Sequence, residues 1–162
     1  MRPAIETLRK MFRYNPETGE LIRVFPHGST RVCPDTVQEG ICRVSVGVNY
    51  RTAKSQVCWA LHYGEWPEGF LDHKDRNPAN HKIENLRPAT KQQNLFNAGV
   101  RKDNQLGIKG VSYIPTTGKY RATIQKDGRV YRLGHFNSAD RARDAYVEAA
   151  KKLFGEYAAP HG

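Results

Sequence analysis

Cysteine is scarce in this chain, and the three that occur, Cys33, Cys42 and Cys58, are odd in number and never paired at metal-knuckle spacing. Neither a disulfide framework nor a zinc ribbon is indicated, and a reducing cytosol suits such thiols. Acidic residues are in deficit as well, with 16 Asp and Glu against 26 Lys and Arg, for a formal net charge of +10 and a pI near 9.7. That imbalance favours a polyanionic partner. No apolar run approaches membrane-spanning length, and the opening Met1-Arg2-Pro3-Ala4-Ile5-Glu6 has no apolar signal core. The expectation is a soluble cytoplasmic protein with no membrane partner.

What is present divides in two. A chain of 162 residues can form one ordinary domain or two small ones with modest cores. We expect a first domain over residues 1–98, a linker over 99–108 that shows no periodicity, and a second domain over 109–162. Residues 1–98 hold 14 Lys and Arg against 10 Asp and Glu, whereas residues 99–162 hold 12 against 6. The shorter part is the more basic, as expected of one that grips a phosphate backbone.

Ile5, Leu8, Met11 and Phe12 recur at helical spacing and predict a helix over 4–13. Gly19, within Tyr14-Asn15-Pro16-Glu17-Thr18-Gly19-Glu20-Leu21, supplies the positive φ of a tight reversal into a strand. Residues 26–40 are rich in Pro, Gly, Ser and Thr and predict a loop, Ile41–Val46 alternates like a strand, and Ser55–His62 reads as a helix stopped by Gly64. Trp59 and Trp66 are expected in the core.

The organising stretch runs from Phe70 to Asn97. Phe70-Leu71-Asp72-His73 predicts a strand that delivers a carboxylate and an imidazole to its end. Asp75-Arg76-Asn77-Pro78-Ala79-Asn80 is turn chemistry, His81-Lys82-Ile83-Glu84 fits one helical turn, and Asn85-Leu86 resumes a buried path. Thr90 stands where an N-cap would start a short helix through Asn97, packed down by Leu95 and Phe96. Asp72-His73, the loop, Asn80-His81, Asn85-Leu86-Arg87 and the closing Asn94 together resemble the His-Asn-His (HNH) nuclease motif of the phage and intron homing-type branch, in which Asn94 replaces the last His. The Tyr-x-Pro-Glu-Thr-Gly-x-Leu run and Trp59-Ala60-Leu61-His62-Tyr63-Gly64-Glu65-Trp66-Pro67 also resemble segments of that family.

Phosphodiester hydrolysis needs a base for water, a cation against developing charge, and fixed geometry for both. Imidazole, with a reference pKa of about 6.5, suits the base. The resemblance implies His73 in that role, Asn85 orienting its ring, and Asp72 and Asn94 as oxygen ligands of one Mg²⁺ (or Mn²⁺) per active site, with no small-molecule cofactor. His81 is left out of the metal shell, as a loop support or phosphate contact.

In the C-terminal part, Gly110–Ile114, Lys119–Gln125 and Arg129–Leu133 alternate as three strands separated by Thr116-Thr117-Gly118 and Lys126-Asp127-Gly128, both ending in a hairpin glycine. Period two places Val111, Tyr113, Tyr120, Ala122, Ile124, Tyr131 and Leu133 on one face and Ser112, Arg121, Thr123, Gln125, Val130 and Arg132 on the other. Ser138 can cap a helix over Ala139–Phe154 whose Ala142, Ala145, Tyr146, Ala149 and Leu153 form an apolar stripe ended by Gly155. Residues 107–158, with Leu133-Gly134-x-Phe136 and Ala145-Tyr146-x-x-Ala149-Ala150, resemble the plant ethylene-response-factor (APETALA-type) DNA-binding domain. The resemblance implies double-stranded DNA in contact with Ser112, Arg121, Thr123, Gln125 and Arg132.

The expected fold class is therefore α+β: a ββα-metal nuclease domain, then a three-stranded antiparallel sheet packed on one helix. The expected function is a metal-dependent DNA endonuclease, monomeric or dimeric, in a bacterial or phage-infected cell. The alternatives are a non-catalytic DNA-binding regulator with a decayed nuclease core, and an RNA nuclease or RNA-binding protein.

Overall fold

A computed structural model describes residues 2–97, 100 and 104–158. The chain divides into two compact units, residues 1–89 and 90–162.

In the first unit, helix α1 (Ile5–Met11) buries Leu8 and stops two residues short of the predicted end, because Phe12 and Arg13 enter strand β1 (Phe12–Tyr14). β1 pairs antiparallel with β2 (Leu21–Val24), and β2 with β3 (Thr30–Val32). Pairing with a neighbouring strand thus overrides the helical periodicity at Phe12. The predicted loop over 26–40 is not uniform, since it contains β3 and the short β4 (Val37–Gln38). β4 pairs with β5 (Ile41–Val46), which pairs with β6 (Tyr50–Ala53). The alternation read in β5 is realised, with Cys42, Val44 and Val46 inward.

Helix α2 (Lys54–Tyr63) follows β6 without a break and ends at Gly64, whose φ of 77° supplies the left-handed cap expected there. Leu8, Phe12, Leu21, Val57, Cys58 and Ala60 are the innermost side chains of this unit, with Trp59 and Trp66 packed against them as expected. The Trp66 Nε1–H donates to the Pro3 carbonyl at 2.8 Å, which satisfies the polar end of an otherwise apolar ring. Strand β7 (Phe70–His73) pairs antiparallel with β8 (Leu86–Ala89), and a 3₁₀ turn over Ile83–Asn85 leads into β8. Pro88 lies opposite Leu71 in this ribbon. A proline fits because alternate backbone N–H groups of a two-stranded ribbon point away from the partner.

The second unit opens with α3 (Lys91–Asn97), capped reciprocally: the Thr90 hydroxyl accepts from the Gln93 N–H at 3.2 Å and the Gln93 amide oxygen accepts from the Thr90 N–H at 2.7 Å. The side chains of Leu95 and Phe96, and residues 98, 99 and 101–103 of the predicted linker region, lie outside the described set. Strands β9 (Val111–Ile114), β10 (Lys119–Lys126) and β11 (Arg129–Phe136) form an antiparallel sheet with β10 central. Asp127 and Gly128 both have positive φ, as the two-residue turn between Lys126 and Arg129 requires. Helix α4 (Ala139–Phe154), capped by Ser138, lays Ala142, Tyr146, Ala150 and Phe154 on one face of the sheet against Val111, Ala122 and Ile124.

β11 runs three residues past its predicted end because of a bulge. Ala122 pairs with Gly134 but Thr123 pairs with Arg132, so Leu133 is the extra residue. Gly134, at φ 138°, holds a backbone conformation open to glycine alone. The bulge shifts the side-chain parity, and Leu133 and Phe136 both reach the core. Tyr113 and Tyr131, predicted as core, share that face but stay about half exposed, because they sit toward the sheet's margins. The mixed α/β character and the small antiparallel sheets are as expected.

Gly110 sets the helix-to-sheet distance: a Cβ there would lie 2.2 Å from the Tyr146 ring and 2.7 Å from the Thr123 carbonyl oxygen. Gly110→Ala should therefore lower stability by about 2–3 kcal/mol, read as an earlier urea midpoint of the full chain. An unchanged midpoint would contradict this packing.

Candidate functional site

β7 and β8 deliver Asp72 and His73 to the mouth of the loop over residues 74–84. Asp72 faces Arg87 across the ribbon and is 2% exposed. Arg87 donates to it from Nε and from its terminal nitrogen, each at 2.8 Å, and both contacts fall on Oδ2. This buried charge-assisted pair fixes the carboxylate in one orientation beside His73.

The loop is built by Asp75 and Asn85. The Asn85 side chain donates to Asp75 Oδ1 at 2.9 Å and to the Asn80 carbonyl at 2.9 Å, and accepts from the Asp75 N–H at 3.0 Å. Its backbone carbonyl accepts from the Lys74 N–H at 2.9 Å. Asn85 thereby fixes the two residues that follow His73, and those side-chain bonds run to the loop and not to the imidazole. Asp75 also accepts from the Asn77 N–H at 2.8 Å and the Asn80 amide at 2.7 Å. Burial would raise its pKa, but the hydrogen bonds from Asn80, Asn77 and Asn85 together outweigh burial and hold the carboxyl below its ordinary value.

His73 is partly buried, and desolvation pulls its pKa below the ordinary imidazole value against the opposing fields of Asp75 and Asp72. That shift favours the unprotonated ring. Its ring meets that of His81 edge-on at a centroid distance of 5.5 Å. Asn94 lies on α3, its N–H bonded to the Thr90 carbonyl at 3.0 Å. The structure thus groups Asp72, His73 and Asn85 in the first unit, whereas Asn94 belongs to the second.

Residues 52–95 match the HNH endonuclease family. The HNH segment therefore takes in β6's end, α2, the β7–β8 ribbon and the start of α3. The chain is 35% identical over 92 residues to an uncharacterised HNH endonuclease of Acanthamoeba polyphaga mimivirus, a match covering 57% of this chain and 46% of that protein. It is 34% identical over 83 residues to Protein 3.8 of Escherichia phage T7, covering 51% of this chain and 66% of the relative. The chain thus spans less than two thirds of either relative. No solved structure matches it.

Three residues outside the expected site set support the HNH loop. The Tyr14 hydroxyl donates to the His81 carbonyl at 2.7 Å, and the Ile83 N–H donates to the Pro16 carbonyl at 3.0 Å. Burial keeps the Tyr14 hydroxyl well above its ordinary pKa, so it remains a donor. Gly19 approaches so closely that a Cβ would sit 2.7 Å from the Lys82 nitrogen and 2.8 Å from the His81 carbonyl carbon. The Tyr-x-Pro-x-x-Gly pattern carried this signal in the sequence, but its destination, a loop more than 60 residues away, was not readable there.

In the second unit, strand pairing sets Ser112 opposite Arg121, and Thr123 opposite Arg132, on the sheet face away from α4, with Gln125 further along β10. Arg121, Gln125 and Arg132 are exposed, while Ser112 and Thr123 are partly covered. His135, paired with Arg121, joins this face only because of the bulge at Leu133, and the sequence reading, which ended the strand at Leu133, missed it. The HNH match ends before this sheet. No helix among the described residues is long and apolar enough to cross a membrane.

Gly19→Ala should push the hairpin turn off the loop. We expect a loss of about 2 kcal/mol and faster amide exchange at Ile83 than in the wild type. Exchange at Ile83 left unchanged would mean the turn does not hold the loop.

Proposed function

We propose that the protein is a metal-dependent DNA endonuclease with a ββα-metal active site, and that His73 is its general base. The observation that carries this is the His73 imidazole at the end of β7, next to Asp72 and Asp75, within the segment that matches the HNH endonuclease family. An unprotonated ring nitrogen can take the proton of an attacking water while the loop pinned by Asn85 and Asp75 keeps the ring's neighbours in place. Asn85 is then a positioning residue acting through Lys74 and Asp75.

The residue types proposed as ligands suit a hard divalent cation by their chemistry: the carboxylate of Asp72, held by Arg87 through Oδ2, and the amide oxygen proposed for Asn94. Bound Mg²⁺ or Mn²⁺ would supply positive charge against the phosphate and the leaving oxygen. Arg87 shapes the site by orienting Asp72. Hydrolysis in this manner leaves 5′-phosphate and 3′-hydroxyl ends, and one site per chain favours nicking over a double-strand break.

Double-stranded DNA is the proposed substrate, docked through the β9–β10–β11 face in the manner of ethylene-response-factor domains. A row of Ser112, Arg121, Thr123, Gln125 and Arg132 combines phosphate-binding cations with side chains able to bond base edges. The Arg87–Asp72 pair favours one second reading, a regulator that binds DNA without cutting it, because a carboxylate neutralised by Arg has less charge to offer a metal.

Nicking of supercoiled plasmid in Mg²⁺ separates the two. We expect cleavage that chelator abolishes and that His73→Ala lowers on the order of 10²–10⁴-fold. Cleavage undiminished in His73→Ala refutes the assignment, and tight binding with no scission in any metal selects the regulator.

Because the base acts unprotonated and its pKa is depressed, the single-turnover rate should rise with pH through a midpoint below about 6.5 and stay level above it. A midpoint above that value would contradict a desolvated His73. Replacing Arg121 and Arg132 together should weaken duplex binding and reduce the slope of log affinity against log salt by about 2; an unchanged slope removes the sheet from the interface.

A further inference from the structure

A second group of metal-ligating side chains lies in the first unit, outside the proposed catalytic set. Asp35, in the segment between β3 and β4, Cys42 on β5 and His81 in the HNH loop place one ligand atom each within 4.8 Å of one another. The three come from parts of the sequence that no short motif connects. All three cysteines are free, so Cys42 is not held in a disulfide.

His81 is the observation that asks for a ligand. Its side chain is 2% exposed, and neither Nδ1 nor Nε2 has a hydrogen-bond partner among the described residues. Nε2 lies 3.3 Å from Asp35 Oδ1 without forming a hydrogen bond. A buried imidazole with both nitrogens unmatched is costly, and such a group in a native fold calls for a missing partner. Cys42 is buried on the inward face of β5, and the Asp35 side chain is 47% exposed, which gives the cluster a path to solvent. Lys54, itself 1% exposed, reaches Asp35 Oδ1 at 2.6 Å and the Cys33 carbonyl at 2.9 Å, and so pins the carboxylate toward the cluster.

We propose that Asp35, Cys42 and His81 bind one Zn²⁺, separate from the hard cation of nuclease chemistry. A thiolate, an imidazole and a carboxylate are the ligand types of zinc sites and a poor set for Mg²⁺, which seeks oxygen only. Solvent on the Asp35 side supplies the fourth ligand. On binding, the Cys42 thiol releases its proton to solvent and a sulfur–zinc bond forms, with no change in oxidation state. The Cys42 thiolate and the Asp35 carboxylate carry one negative charge each against the two positive charges of the ion, and Lys54 keeps its hydrogen bond to the Cys33 carbonyl. The bound ion would tie the HNH loop to the β4–β5 hairpin through the residue whose ring abuts His73.

The test uses the full chain, stripped with chelator and titrated with Co²⁺ and then Zn²⁺. One equivalent of Co²⁺ should give a thiolate-to-cobalt charge-transfer band that one equivalent of Zn²⁺ removes. Cys42→Ser should abolish the band, His81→Asn should weaken metal binding roughly 100-fold or more, and Cys33→Ser should keep both. The wild-type titration decides even if a variant fails to fold, since no thiolate band in the wild type overturns the proposal. Zinc retained at full affinity by folded Cys42→Ser overturns it too. The readout is spectroscopic, so it is independent of whether Mg²⁺ supports nicking.

Discussion

The turn at Gly19 can lie on the His81–Lys82 backbone only because that position has no Cβ, and the order of the HNH loop depends on this close approach. The loop has few apolar side chains of its own and cannot hold itself by burial. It is held instead by hydrogen bonds: Tyr14 to the His81 carbonyl and Ile83 to Pro16 from below, and Asn85 to Asp75 and Asn80 from within. A polar loop made rigid in this way presents His73 in one setting, which the general-base role proposed for it would require.

Electrostatics at the ribbon follow from burial. Asp72, 2% exposed, meets Arg87 directly across the ribbon, and the pair is placed by strand register alone. Desolvation pulls the His73 pKa down against the opposing fields of Asp75 and Asp72.

In the second unit one glycine decides the shape of the sheet. Gly134 permits the bulge that lets Leu133 and Phe136 both face α4, and the same bulge carries His135 to the outer face beside Arg121. A flat strand would have buried one of the two apolar residues and exposed the other. Of the outer-face residues named, only His135 owes its place to this change of parity; Ser112, Arg121, Thr123, Gln125 and Arg132 follow from regular pairing.

The sequence by itself determined the elements whose signals are local. Period two in β5 and β10, the Gly64 and Ser138 caps, the Asp127-Gly128 turn and the Asp72-His73 strand end each depend on neighbours within a few residues, and each is found. The resemblance to HNH nucleases was legible in the same local way, and the family match over residues 52–95 agrees with it. Only the tertiary structure decided that β1 captures the end of α1, that Arg87 holds Asp72, that Tyr14 and Gly19 buttress the loop, and that Asp35, Cys42 and His81 converge. These contacts join residues far apart along the chain, and their strength comes from burial, which does not exist until the core has closed.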